Sequence, residues 1–256
     1  MSIQTTITFL GTGTSHGVPV IACHCNICTS KDPRDTRFRS SVLVSQNGNN
    51  VVIDTGPDFR LQMLREQVEK LDAVVFTHEH KDHTAGLDDI RAFNFDGKEM
   101  NVFATERVQH NLQKSFDYIF ADHKYPGVPL VKINKISNEL FYAAGIPFTP
   151  IEVKHLNLPV LGFRIGDFTY ITDANYIADE EKEKIRGSRY LVLNALRIQP
   201  HISHFSLQEA IILAQELGAE STYFTHISHQ LGLHSEVEKQ LPEGIFLAYD
   251  GLKIVF

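Results

Sequence analysis

A chain of 256 residues with 43% hydrophobic and 21% charged side chains is long enough to bury a substantial core and suits one large domain. Its formal net charge of −7, spread along the chain, argues against a general nucleic-acid binder, which carries a basic face. No apolar run approaches ~18 residues, so no transmembrane helix is expected, and the start MSIQTTITFLGTG, without a basic n-region, reads as a first strand of a cytoplasmic protein.

In chain order, alternating apolar and β-branched residues mark strands at Thr6–Leu10, Ser41–Ser45 and Val51–Asp54, followed by a helical pattern over Arg60–Lys70. A strand at Ala73–Thr77 leads through a histidine-rich stretch to a helical Leu87–Phe93, a strand at Asn101–Ala104 and a helix over Thr105–Phe120. Leu130–Ile133, Phe163–Ile165 and Phe168–Thr172 read as strands, the last two joined by a hairpin turn at Gly166-Asp167. Then come a helix over Ala178–Arg186, a strand at Tyr190–Leu193, and a helix over Ser206–Leu217. That helix carries a capping-box spacing, Ser206 to Glu209, and a stop at Gly218. Strands at Ser221–Phe224 and Ile245–Ala248 follow, with Asp250-Gly251 expected as a second hairpin turn. With no low-complexity linker and no repeat, a single domain over residues 1–256 is expected, built of layered sheets flanked by helices.

All three cysteines fall in CHCNIC, residues 23–28. An odd number of close thiols forms no internal disulfide framework, and a redox pair among Cys23, Cys25 and Cys28 would strand one of them. A metal site short of one ligand fits three thiolates better, with free thiols on a loop as the bland alternative.

The thirteen histidines are the most informative figure in the composition. Residues 72–86 read DAVVFTHEHKDHTAG, an apolar strand running into His78, His80, Asp82 and His83. On an extended chain residues 78, 80 and 82 share one face, and His83 follows where the chain turns toward Gly86. Imidazole and carboxylate suit Zn, Mn and Fe. Further candidates stand at later strand ends: His155 after Pro150–Val153, Asp173 after Phe168–Thr172, and His226 after Ser221–Phe224. Asp54 ends Val51–Ile53 and is either a fourth such residue or a turn residue. Arg37, Arg39 and Arg91 are candidates for anion recognition, with pairing to surface carboxylates as the commoner fate.

The set T-H-x-H-x-D-H followed by His155, Asp173 and His226 resembles the metallo-β-lactamase fold superfamily. The resemblance implies an α/β class protein, an αββα sandwich of two mixed sheets flanked by helices, with a two-metal centre of Mn, Zn or Fe between the sheets. It implies that His78, His80 and His155 hold one metal, that Asp82, His83 and His226 hold the second, that Asp173 bridges them, and that Asp54 orients a ligand. Two carboxylates, Asp82 and Asp173, make a hard anionic site that suits hydrolysis at phosphorus. His204, in RIQPHISHFSL, resembles a histidine proposed in phosphodiesterase members to protonate the leaving oxygen, and its near-neutral intrinsic pKa suits that work.

The pieces GTGTSHGVP, CHCNICTSKDPRDTRFRSS, THEHKDHTAGLDDIR, PHISHFSL and FTHISH resemble the phosphoribosyl 1,2-cyclic phosphate phosphodiesterases of the carbon–phosphorus lyase pathway. That likeness implies a small phosphate-ester substrate and suggests a homodimer, while the acidic balance and the lack of a long apolar run lead us to expect no nucleic-acid or membrane partner. It also implies that His229, three residues past His226, completes a structural zinc site with Cys23, Cys25 and Cys28 on the 21–30 loop. Ribonuclease Z, a thioesterase or lactonase of the same fold, and a non-catalytic metal-binding protein are the alternatives. The acidic balance and the lack of a basic arm weigh against the first.

Overall fold

The computed structural model describes residues 4–94 and 97–256, so residues 1–3 and 95–96 of the expected single domain lie outside the described residues. Strands and helices follow as β1 (Thr5–Gly11), β2 (Ser41–Gln46), β3 (Asn49–Ile53), α1 (Phe59–Arg65), β4 (Ala73–Val75), α2 (Lys81–Thr84), β5 (Met100–Ala104), α3 (Glu106–Ser115), α4 (Asp117–Phe120) and β6 (Val131–Lys135). Next come β7 (Phe141–Ala143), β8 (Ile146–His155), β9 (Leu158–Ile165), β10 (Phe168–Tyr170), β11 (Tyr176–Ile177), α5 (Asp179–Ile185) and β12 (Tyr190–Asn194). The chain then continues through α6 (Leu207–Leu217), β13 (Ser221–Thr225), α7 (His234–Val237), β14 (Ile245–Leu247) and β15 (Lys253–Val255).

The strands form two sheets, ordered β15-β1-β2-β3-β4-β5-β6 and β11-β8-β9-β10-β12-β13-β14, with β7 paired to β8. Both are mixed. In each, antiparallel pairs on one side give way to parallel pairs on the other, β3-β4-β5-β6 in the first and β10-β12-β13-β14 in the second.

Side-chain alternation decides the layers. Val51, Ile53, Ala73 and Val75 face inward and pack with Phe148, Phe163, Phe168 and Tyr170 of the second sheet. Their neighbours Val52 and Val74 face outward and pack with Phe59 and Met63 of α1 and with Val108 and Leu112 of α3. On the far side Leu191 and Leu193 meet Ala210, Leu213, Ala214 and Leu217, the helical-period face of α6. The result is the expected αββα sandwich of two mixed sheets flanked by helices.

Several local expectations hold and others are corrected. Ser206 and Glu209 close a reciprocal capping box, and Gly218 ends α6 in the left-handed conformation. Gly166, with φ of 57°, opens the tight turn joining β9 to β10. The helix expected to reach Lys70 stops at Arg65, because Gln67 turns left-handed and the Val68 N–H bonds back to Met63 O. The helix expected over Thr105–Phe120 breaks at Phe116, whose φ and ψ of −129° and 46° leave the helical region. Asp250-Gly251 is not a hairpin turn. It carries the chain from β14 in the second sheet to β15 in the first, and the Asp250 carboxylate accepts bonds from Thr12 Oγ1 and Phe38 N.

Candidate metal centre

Strands of both sheets deliver polar residues at their C-terminal ends to one edge of the sandwich. From the first sheet come Asp54 after β3 and the His78–His83 stretch after β4. From the second come His155 ending β8, Asp173 after β10, and His226 after β13. Asp54 and His226 both sit in the left-handed region, with φ of 65° and 56°, a conformation uncommon outside glycine, though Asp, Asn and His adopt it more readily than other residues. Strain of that kind persists where surrounding bonds impose it, and at Asp54 those bonds are visible.

Asp54 is fully buried and accepts three bonds: Thr77 N–H at 2.9 Å, Thr77 Oγ1–H at 2.8 Å and His83 Nδ1–H at 2.7 Å. The Thr77 hydroxyl spends its hydrogen on Asp54, so it accepts from His78 Nδ1 at 2.9 Å. His155 likewise gives its Nδ1–H to Ser203 O at 2.7 Å. In the neutral ring these bonds place the hydrogen of His78, His83 and His155 on Nδ1 and the lone pair on Nε2.

The chain is not extended through residue 82, as the sequence pattern implied. His80 is extended, with φ −60° and ψ 149°, but Lys81–Thr84 wind into the single turn α2. Thr84 Oγ1 donates to His80 O at 3.0 Å and holds that turn. Winding brings His83 back beside His78, with ring centres 4.3 Å apart.

Ligand atoms of Asp82, His83, Asp173 and His226 lie within 4.8 Å of one another, and so do those of His78, His80 and Asp173. His155 joins Asp173 and His204 in a third such group, and its ring centre is 5.2 Å from that of His80. Asp173 is common to all three. Among the described residues His78 Nε2, His83 Nε2 and His226 Nδ1 are buried without a hydrogen-bond partner, yet stand 3.7, 3.3 and 2.9 Å from Asp173 oxygens. An orphaned buried nitrogen costs about 1–3 kcal/mol; several aimed at one carboxylate fit a cation between them.

The electrostatics agree. Burial pushes the Asp173 carboxyl up, but the His226 and His83 charges outweigh it and hold it well below the usual range. Burial pulls His83 down, and Asp173, Asp82 and Asp54 together drive it well above its ordinary value. Surroundings that hold a proton on His83 so strongly favour positive charge of any kind. His78, lacking comparable anionic support, is driven well below its ordinary value by burial and then by His83.

His204 packs its ring 4.4 Å from His155 and 4.8 Å from His226. From its near-neutral intrinsic value the pKa is moved by the fold: burial, and then His226, push it down to about 3. Its Nδ1 is buried without a partner among the described residues. Beside it opens a pocket of about 260 Å³, lined among others by Thr14, His16, Arg197, His201 and His229.

Cys23, Cys25 and Cys28 place their sulfurs 3.4, 3.4 and 3.5 Å from His229 Nδ1. Zn–S and Zn–N bonds of ~2.3 and ~2.0 Å at a tetrahedral angle give an S···N edge of about 3.5 Å, so the four donors fit a zinc ion. The Cys28 N–H bond, opposed by burial and assisted by His229, lowers the Cys25 thiol to about 6, while burial raises the Cys28 thiol to about 11, so without a cation the cluster favours one thiolate rather than three.

The three arginines considered for anion recognition are otherwise engaged. Arg37 is buried and holds Thr12 Oγ1, Ala248 O and His234 Nδ1. Arg39 pairs with Asp58, and Arg91 with Asp88. Sequence reasoning missed Thr77, Thr14, whose Oγ1 is 3.2 Å from His226 Nε2, and Tyr170, whose buried hydroxyl has no partner. Thr77 was open to inference, as the residue between a strand and the first histidine. Tyr170 reads only as strand.

Fold and site together define a metal-dependent hydrolase domain of metallo-β-lactamase fold. The chain belongs to the β-lactamase superfamily, whose domain model, described as "Beta-lactamase superfamily domain", matches residues 49–227. Within it the chain stands close to the PhnP family: the crystal structure of a diphosphatase from that family is 44% identical with a TM-score of 0.93, covering 99% of this chain and 97% of that one. An octanoyltransferase of Porphyromonas gingivalis is 39% identical over 249 residues, 96% of this chain, but this chain spans only 50% of that protein's length. Zn²⁺-bound PqqB from Methylobacterium extorquens shares the fold, with a TM-score of 0.80 at 21% identity over 97% of this chain and 99% of that one.

Proposed function

We propose that this domain hydrolyses a small phosphodiester, with a phosphoribosyl 1,2-cyclic phosphate as the nearest model substrate. The observation that carries the proposal is Asp173, shared by three ligand groups and facing buried, unpartnered imidazole nitrogens from both sheets. His78, His80 and His155 are the proposed ligands of one divalent ion, Asp82, His83 and His226 of another, and Asp173 stands between. Bound there, Mn, Zn or Fe ions supply Lewis acidity at phosphoryl oxygens and lower the pKa of water. Asp54, Thr77 and Ser203 hold the imidazoles in the liganding tautomer. His204 rests neutral. A phosphate anion against its ring favours protonation there, and the proton passes to the leaving oxygen.

The diphosphatase relative supports phosphorus as the reacting centre. Acyl transfer is not carried over from a protein of which this chain matches half. The net charge of −7 favours a small molecule over a nucleic acid.

The test is a substrate panel on metal-loaded protein: a phosphoribose 1,2-cyclic phosphate, 2′,3′-cyclic nucleotides, bis(p-nitrophenyl) phosphate, a tRNA precursor, a thioester and a lactone. Turnover of the small phosphodiesters is expected; turnover of thioester, lactone or tRNA alone would sink the proposal. His204→Ala is expected to keep its metals and lose about 10²–10⁴-fold in kcat, and unchanged turnover removes His204 from the mechanism.

A further inference from the structure

His226 meets the centre with a different edge from its neighbours. His78, His83 and His155 engage an outer partner through Nδ1 and keep Nε2 for the centre. His226 instead turns Nδ1 inward, 2.9 Å from Asp173 Oδ1, and its Nε2 stands 3.2 Å from Thr14 Oγ1. Its ring lies nearly parallel to those of His204 and His83, at interplanar angles of 20° and 11°. Stacking of that kind sets the plane of the ring. It does not set which edge faces Asp173, because a half-turn about Cβ–Cγ keeps the plane and exchanges Nδ1 with Cδ2 and Nε2 with Cε1. Turned that way, the ring offers carbon to the cation and carbon to Thr14.

Thr14 is itself held against this histidine. It follows β1 of the first sheet, yet its N–H donates to Ile227 O at 3.1 Å, and the Ile227 N–H returns to Thr12 O at 2.9 Å. Two backbone bonds thus tie the threonine segment to the residue next to His226. Thr14 is 6% exposed and His226 1%, so bulk water does not reach the Nε2–H in place of the hydroxyl. A neutral imidazole that offers its lone pair at Nδ1 carries its hydrogen on Nε2. The state that binds a cation is therefore the state that needs Thr14 as an acceptor, since a buried N–H left unpaired bears its full desolvation penalty. The competing tautomer, with its hydrogen on Nδ1 beside the Asp173 carboxylate, has no such need.

We propose that Thr14 is a positioning residue of the metal centre: its hydroxyl accepts the His226 Nε2–H and so selects the ring orientation and tautomer in which Nδ1 is the ligand atom. The inference rests on the two-ion reading of this centre and adds to it a residue of the first sheet that acts on a ligand from the second. Its effect is confined to the ion assigned to Asp82, His83 and His226. The ligands assigned to the other ion draw their outer bonds elsewhere, His78 from Thr77 and His155 from Ser203. Thr14 also lines the pocket beside His204, so contact with substrate is the rival explanation for any loss of activity. Metal affinity measured without substrate separates the two.

The test measures zinc content by elemental analysis over a series of buffered free-zinc levels, for wild type, Thr14→Val and Thr14→Ser. Valine keeps the branched shape and removes the acceptor; serine keeps the hydroxyl. Wild type is expected to hold two ions at the centre and one at the cysteine cluster. In Thr14→Val one ion per chain is expected to dissociate at about 10–100-fold higher free zinc, with the others unmoved, and Thr14→Ser is expected to recover wild-type retention. Imidazole nitrogen NMR shifts of the zinc-loaded protein report the tautomer: His226 protonated at Nε2 and metal-bound at Nδ1 in wild type and Thr14→Ser, with that signature lost in Thr14→Val. A Thr14→Val protein that retains every ion as wild type does, or a wild-type His226 that binds through Nε2, overturns the inference. So does a uniform weakening of all the ions together with a lowered Tm that serine does not rescue, which marks a merely structural threonine. A wild type that holds zinc at the cysteine cluster alone removes the two-ion centre itself, and the inference with it.

Discussion

Replacing Asp54 by asparagine separates the charge of this carboxylate from its shape. Asparagine tolerates the φ of 65° and keeps one acceptor oxygen for the Thr77 N–H. Its amide NH₂ then meets two groups that now donate to Oδ2, the Thr77 hydroxyl and His83 Nδ1. The hydroxyl can rotate. The imidazole relieves the clash of two donors only by moving its proton to Nε2, the nitrogen 3.3 Å from Asp82 and Asp173. A lone pair aimed at the cation becomes an N–H. Metal affinity of the Asp82–His83–Asp173–His226 cluster is therefore expected to fall about 10–100-fold, with about 1–3 kcal/mol lost from the metal-free fold. Alanine is the poorer probe. It orphans three buried donors at about 3–5 kcal/mol and adds left-handed strain of about 1 kcal/mol, against a total stability of about 5–15 kcal/mol. Chelator competition on the loaded protein, with urea unfolding of the metal-free form, measures both terms. An Asp54→Asn protein that holds its metal at wild-type affinity would refute the tautomer argument.

The remaining predictions concern stability and the cysteine cluster. Burial pushes Asp250 up to about 6, against the Phe38 N–H, the Thr12 hydroxyl and Arg65. The folded state thus holds this proton more tightly than the unfolded chain, so the contribution of Asp250 is fully present below about pH 4 and is lost as pH rises through 6. The loss is about 3 kcal/mol at most. Asp250→Asn should flatten that slope in pH-dependent urea melts, and an unchanged slope assigns the loss to other groups. Cys25→Ser is expected to lower the zinc content by one ion per chain and to open the 21–30 loop to proteolysis; elemental analysis showing wild-type zinc would rule out the cluster as its ligand set. Phe163, fully buried and edge-on to Phe141 and Phe148, fills the space between the sheets. Phe163→Ala should cost about 3–5 kcal/mol and lower Tm by about 10 °C, with a drop of only a degree or two meaning that the layer repacks.

Much of this site was legible because its chemistry sits at strand ends. Val51–Ile53, Ala73–Val75 and Ser221–Thr225 are apolar or β-branched runs that stop at a polar residue, and Asp54, His78 and His226 follow from that pattern. The long pair β8 and β9 was not legible in full. Pro147, Pro150 and Pro159 remove donors and argue against long strands, yet β8 is paired to β9, β7 and β11 in turn, and that pairing outweighs the local signal. The turn α2 escaped for another reason, since four residues are too few to show a helical period. The depressed pKa of His204 was out of reach as well, because burial is set by which segments the fold brings around a loop.

Gly13 closes the circle between the two sheets. Its backbone bridges Arg39 on one side and Ile227 on the other, and a Cβ there would come within 2.9 Å of Arg37 O. The stitch lies where the two ligand groups meet, and each sheet contributes only part of the set. A chain with its sheets formed but undocked has no place to hold a divalent ion against Asp173. Gathering the ligand groups around Asp173 thus requires both sheets to be docked against each other.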